Sequence, residues 1–92
     1  MNRVTDEKTH FFDYMELLNR EFKMLKEKYP ELGELSHREL EVFLLLMSDK
    51  TQKQIAEELF VSASAIHFHT KNIYKKLSIS GRKQLLIKYS NI

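Results

Sequence analysis

Ninety-two residues with 15 basic and 13 acidic side chains make one small, weakly basic domain, and the absence of cysteine excludes a disulfide framework or a cysteine-ligated metal. A chain this short buries only about 60–65% of its unfolded surface, so its core is thin and there is no room for a sensor domain beside a binding domain. No apolar run approaches the roughly 18–20 residues of a membrane span and the N-terminus lacks the apolar segment of a secretory signal, so the expectation is a cytoplasmic protein with no membrane partner.

The net charge of +2 conceals a gradient. Residues 1–29 carry six cations and six anions, residues 30–50 two and five, and residues 51–92 seven and two. From Ser62 onward there are six cations and no acid. A C-terminal half of this kind suits a polyanionic partner.

In chain order, residues 1–9 are polar and are expected to be a flexible N-terminus. Residues 10–29 follow with Phe11, Met15, Leu18, Phe22, Leu25 and Tyr29 stepping by 4, 3, 4, 3 and 4. That spacing predicts one amphipathic helix with a narrow apolar stripe. Pro30 ends it, because proline disfavours a helical conformation in the residue before it. Residues 30–35, with Gly33, read as a connector, and residues 36–92 as the functional domain.

Three further helix starts are written in capping chemistry. Ser36 with Glu39 and Thr51 with Gln54 each spell a capping box, in which two side chains satisfy each other's orphan backbone donors. Ser62 is the expected cap of the next helix and Ser80 of the last. The expected helices run over about 37–48, 52–59, 63–77 and 81–90, an all-α fold. The helix from 37 is apolar at every position from 40 to 47 except Glu41, so it needs cover on a second side. The stripe of residues 10–29 is expected to supply it by packing on Leu40 and Leu44, from the same or a partner chain.

Only Phe60, Val61 and Ser62 separate the second and third of these helices. Ile55, Ala56, Leu59 and Ile66 share a core only if the chain turns sharply, which is the helix-turn-helix unit. In that unit the N-terminal half of the second helix meets base edges in the major groove. On the helix of 63–77, Ile66, Ile73 and Leu77 fall on one face. Ala63, Ser64, His67, Lys71 and Lys75 fall on roughly the opposite face.

At this point the runs LSHRELEVF (35–43), KQIAEEL (53–59), Val61-Ser62, HTKNIYKKL (69–77) and Arg82 together closely resemble the LuxR/GerE-type DNA-binding domain over about residues 34–90. The resemblance implies a four-helix domain that binds double-stranded DNA as a homodimer and regulates transcription. It further implies a third helix in the major groove, a fourth in the dimer contact and RNA polymerase as a further partner, with the bacterial nucleoid as the place of action. Carried over position by position, base reading falls on His67, Phe68 and Lys71. Phosphate contact falls on Lys53, Ser64, Asn72, Lys75 and Lys76. The helical wheel reaches His67 and Lys71 independently.

The chain also departs from the pattern. Where Thr-Val-Lys commonly precedes the motif histidine, this chain has Ala65-Ile66-His67-Phe68-His69. A neutral imidazole offers one donor and one acceptor where lysine offers three donors, so base preference is expected to differ and binding to respond to pH near neutrality. Phe68 suits a thymine methyl.

The last helix is more apolar than one buried face requires. Leu85 and Tyr89, four apart, suit the core. Leu86 and Ile87, with Tyr89 at the edge, suit a contact about a two-fold axis. Phe11, Met15, Leu18 and Phe22 offer a second dimer surface.

No metal or other cofactor and no small-molecule substrate is expected. His67 and His69 are two apart, point roughly 200° from each other on a helix and cannot chelate one ion. Neither a Gly-rich phosphate loop nor a nucleophile with a neighbouring base is present, which argues against an enzyme. Two rival readings are a sigma-factor-like promoter-reading domain, which uses a similar helix-turn-helix, and a protein-interaction module that docks through the stripe of 10–29.

Overall fold

The computed structural model describes residues 19–90, all-helical among them. The chain divides into two units, residues 1–30 and 31–92. Of the first unit, the described part is a helix, α1, over 19–28. From 19 to 29 only Phe22, Leu25 and Tyr29 escape full exposure, which is the C-terminal part of the predicted stripe. Phe11, Met15 and Leu18 lie outside the described residues.

The second unit begins with a surprise in the connector. Pro30–Glu34 is a 3-10 helix, and it seats Leu32 and Leu35 in the core. The expected passive linker therefore supplies core. Leu32 and Leu35 are three apart, a helical spacing, but two apolar residues in a six-residue segment with Pro30 and Gly33 are too few to establish a period.

Four α-helices follow: α2 (His37–Leu46), α3 (Gln52–Leu59), α4 (Ala63–Lys76) and α5 (Arg82–Lys88). The first two starts are the predicted capping boxes. Ser36 Oγ accepts the Glu39 N–H at 3.1 Å while Glu39 Oε1 accepts the Ser36 N–H at 2.8 Å. Thr51 and Gln54 repeat the exchange at 3.1 and 2.8 Å. Ser62 Oγ caps α4 by accepting the Ala65 N–H at 3.0 Å. The expected Ser80 cap is corrected. Gly81 is the N-cap of α5 and, lacking a side chain, makes no cap bond, while Gln84 Oε1 reaches back to accept the Ser80 N–H at 2.8 Å.

Core positions come from every helix of this unit. Leu40, Val42, Phe43 and Leu46 of α2, Ile55 of α3, Ile66 and Ile73 of α4 and Leu85 of α5 are fully buried. Apolar burial of this kind stabilises by roughly 1.5–3 kcal/mol per side chain. Thr70 shares the buried stripe of α4, and its Oγ1 has no hydrogen-bond partner.

Two helices end in left-handed residues. At the end of α3, Phe60 has φ 57°, the Val61 N–H bonds Ala56 O at 3.0 Å and the Phe60 N–H bonds Glu57 O at 3.3 Å. At the end of α4, Ser78 (φ 56°) sits between the equivalent bonds from Ser78 to Lys75 and from Ile79 to Tyr74. Both are Schellman turns, where glycine is the usual occupant because a Cβ is strained there. Phe60 is also 94% exposed, so its side chain returns nothing to the core. Phe60→Gly is therefore expected to stabilise the fold by about 1 kcal/mol, read as a higher melting temperature. A lower one would show that the exposed ring is held by a contact.

Candidate nucleic-acid interface

The candidate interface is one face of α4. Ser64, His67, Phe68, Lys71 and Lys75 are all exposed, whereas Ile66, Thr70, Ile73 and Leu77 are all buried. At 100° per residue these two stripes lie roughly 150° apart. The core thus grips one side of the helix and turns the other outward, and the outward side carries two lysines and no acid.

Of the base-reading candidates, His67 and Lys71 stand clear on the surface, and neither enters the ion pairs of α2 and α3. Phe68 is 61% exposed, with its ring edge-on to His69 at 5.9 Å between centroids. His69 is half-buried, at the edge of the core. Of the phosphate candidates, Ser64 and Lys75 share the outward face, Lys53 is exposed in the first turn of α3, and Asn72 is half-buried on the flank.

Lys76 is different. Its Nζ sits 2.7 Å from Glu39 Oε1, and that carboxylate is only 6% exposed. On the wheel Lys76 lies roughly a third of a turn off the outward stripe. In the free protein its ammonium is thus paired with α2, although the side chain is still 40% exposed.

Glu39 is the group that sequence reasoning placed only in a cap. Burial pushes its carboxyl up, but the Lys76 ammonium and the Ser36 N–H outweigh this and hold it below the ordinary glutamate value. A carboxylate depressed on folding stabilises fully above its unfolded value, about 4.3, and loses that contribution as pH falls through the lower folded value. The expected outcome is a melting temperature level from neutrality down to about pH 5 and falling in more acidic buffer. In Glu39→Gln that acid limb should be shallower, and an identical limb in the variant would assign the loss to other groups.

Arg82 was legible only as one letter of a motif. Its Nε donates to Leu46 O at 3.0 Å and its Nη2 to Ser48 O at 2.7 Å, so it closes the C-terminal end of α2 from the start of α5. Lys88 Nζ donates to Leu77 O at 3.4 Å, a weaker closure of α4.

On α5, Leu86 and Ile87 are exposed, at 37% and 66%, and so remain available to a partner. Tyr89 does not, and its place in a dimer contact is corrected. It is fully buried, its ring meets Phe43 edge-on at 5.1 Å, and its hydroxyl donates to Glu31 Oε1 at 3.0 Å. Phe22 is buried, and Phe11, Met15 and Leu18 cannot be placed in any surface from the described residues. No group of three or more His, Cys, Asp or Glu that could hold a metal occurs among the described residues, and no helix among them is long and apolar enough to cross a membrane.

Comparison with known proteins matches this architecture. The family model for bacterial regulatory proteins of the luxR family covers residues 33–89. The spore germination protein GerE of Bacillus subtilis is 41% identical over 64 residues, 70% of this chain and 86% of that protein. The transcriptional regulatory protein LiaR of the same organism is 42% identical over 53 residues, 58% of this chain and 25% of that protein. The response regulatory protein YgeK of Escherichia coli is 28% identical over 86 residues, 94% of this chain and 58% of that protein. No solved structure matches. With the family model covering well over half of the sequence and the helix-turn-helix in place, the chain belongs to the LuxR family of bacterial regulatory proteins and carries the DNA-binding domain of a transcriptional regulator.

Proposed function

We propose that this chain binds specific duplex DNA as a homodimer, with α4 of each protomer in the major groove. The observation that carries the reading is the outward stripe of α4, basic, free of acid and opposite a fully buried one. His67, Phe68 and Lys71 read bases. Lys53, Ser64, Lys75 and the flanking Asn72 meet phosphates, and these contacts supply most of the affinity and its dependence on salt. The exposed pair Leu86 and Ile87 joins the protomers, placing two recognition helices in successive major grooves about 34 Å apart. Bound to its site, the dimer regulates transcription through RNA polymerase on the bacterial nucleoid.

Selection of bound duplexes from a random pool at a stated salt concentration tests this. The expected product is a two-fold symmetric site with half-sites one helical turn apart. Recovery of sequences no different from the starting pool would refute sequence-specific binding. An asymmetric single half-site would refute the dimer.

A further inference from the structure

We infer that the Glu39–Lys76 pair is a positioning device for the recognition helix, setting how well the protein discriminates between DNA sequences and not how tightly it holds DNA in general. The inference rests on the proposed entry of α4 into the major groove.

The two ends of α4 are held differently. The N-terminal end is fixed by the three-residue turn from α3, whose Val61 N–H is bonded to Ala56 O, and by the Ser62 cap. The C-terminal end lies fourteen residues on, roughly 21 Å away. There the buried Ile73 and Leu77 hold it by apolar contact, which is non-directional, and Lys88 Nζ adds only a long bond of 3.4 Å to Leu77 O. Lys76 adds a directional tie from α4 to α2, reaching a carboxylate 37 residues earlier in the chain.

That carboxylate is itself held at two points. Glu39 Oε1 accepts both the Ser36 N–H at 2.8 Å and Lys76 Nζ at 2.7 Å, in the first turn of α2. A capping box needs no burial, yet this one is 5% exposed as a residue. The pair is only partly buried, with the Lys76 side chain 40% exposed, so it gains little stability from the contact itself, and what it adds is a fixed direction between two helices.

Geometry says what the tie controls. If α4 pivots on its N-cap and Lys76 moves by about 1 Å, Lys71 swings by roughly 0.6 Å. Hydrogen bonds to base edges lose their alignment over such distances. Phosphate contacts through long lysine side chains adapt to them. Releasing the tie therefore erodes base reading first.

The test uses the full chain and compares affinity for a selected duplex with affinity for a scrambled one, at one salt concentration and well below the melting temperature. A loss of folded protein lowers both affinities equally and leaves their ratio unchanged, so the ratio isolates positioning from stability. Glu39→Gln keeps an acceptor for Ser36 but removes the charge that holds Lys76. It is expected to lower the ratio about tenfold with scrambled-duplex affinity within about twofold of the original. Lys76→Arg, which keeps the pair, should keep the ratio. If Glu39→Gln does not fold, Lys76→Gln supplies the same measurement.

An unchanged ratio in the variants would overturn the inference. So would a parallel fall in both affinities with a shallower salt dependence in Lys76→Gln, which would make Lys76 a phosphate contact. If the unmodified protein itself fails to prefer the selected duplex, the DNA-reading proposal fails and this inference fails with it.

Discussion

Lys71→Ala is expected to abolish sequence-specific DNA binding while leaving the fold intact. The side chain stands in the middle of the outward stripe of α4, away from the ion pairs of the neighbouring helices. A base contact contributes about 1–3 kcal/mol, and a dimer loses two of them, so affinity for a selected site should fall at least about thirtyfold. Alanine is the best helix former and Lys71 is exposed, so the melting temperature should hold or rise slightly. Titration of a selected duplex by fluorescence anisotropy, alongside a thermal melt, reads both quantities. Undiminished specific affinity would remove Lys71 from the base-reading set. A collapsed melt would mean that its exposure misrepresents its role.

Tyr89→Ala is expected to have the larger effect on the fold. The ring packs edge-on against Phe43 inside a small core, and the hydroxyl is bonded to the half-buried Glu31. Truncating a buried aromatic side chain costs about 3–5 kcal/mol, a large part of the stability a domain of this size can have. Circular dichroism should show a protein largely unfolded, or melting far below the original. Ile87→Asp, two residues earlier and 66% exposed, should melt like the original and weaken self-association, measured by sedimentation. The pair of results separates core from interface on one short helix. If Tyr89→Ala melted normally and only dissociated a dimer, the placement of Tyr89 in the core would be wrong.

The helix starts were legible because capping is local. Ser36 with Glu39, Thr51 with Gln54 and Ser62 each act within one turn of chain, and all three cap as their letters predict. The stripe of α4 was legible for the same kind of reason. Ile66, Ile73 and Leu77 recur with the helical period, and the cations fall on the other side. Thr70 broke the pattern by its letter alone, since a hydroxyl does not announce a buried position. Ser80 failed as a cap because α5 starts one residue later, with Gly81 at the N-cap, and the letters Ser-Gly do not say which of the two takes that place.

The amino-acid sequence by itself determined the all-helical class, the position of the helix-turn-helix, and which face of α4 carries charge. Each depends on contacts within a few residues, or on a period the chain repeats. Only the tertiary structure decided what the long polar and aromatic side chains do. Lysine at 76 and lysine at 75 are adjacent and identical in kind, yet only Lys76 lies on the flank from which Glu39 can be reached. Tyr89 and Ile87 are both apolar enough for a dimer face, but the side of α5 that turns toward Phe43 takes the tyrosine inward. Leu32 is core because a 3-10 turn folds back on the domain. In each case the deciding partner is distant in sequence, and a side chain with several low-energy uses takes the one that the packed neighbours offer.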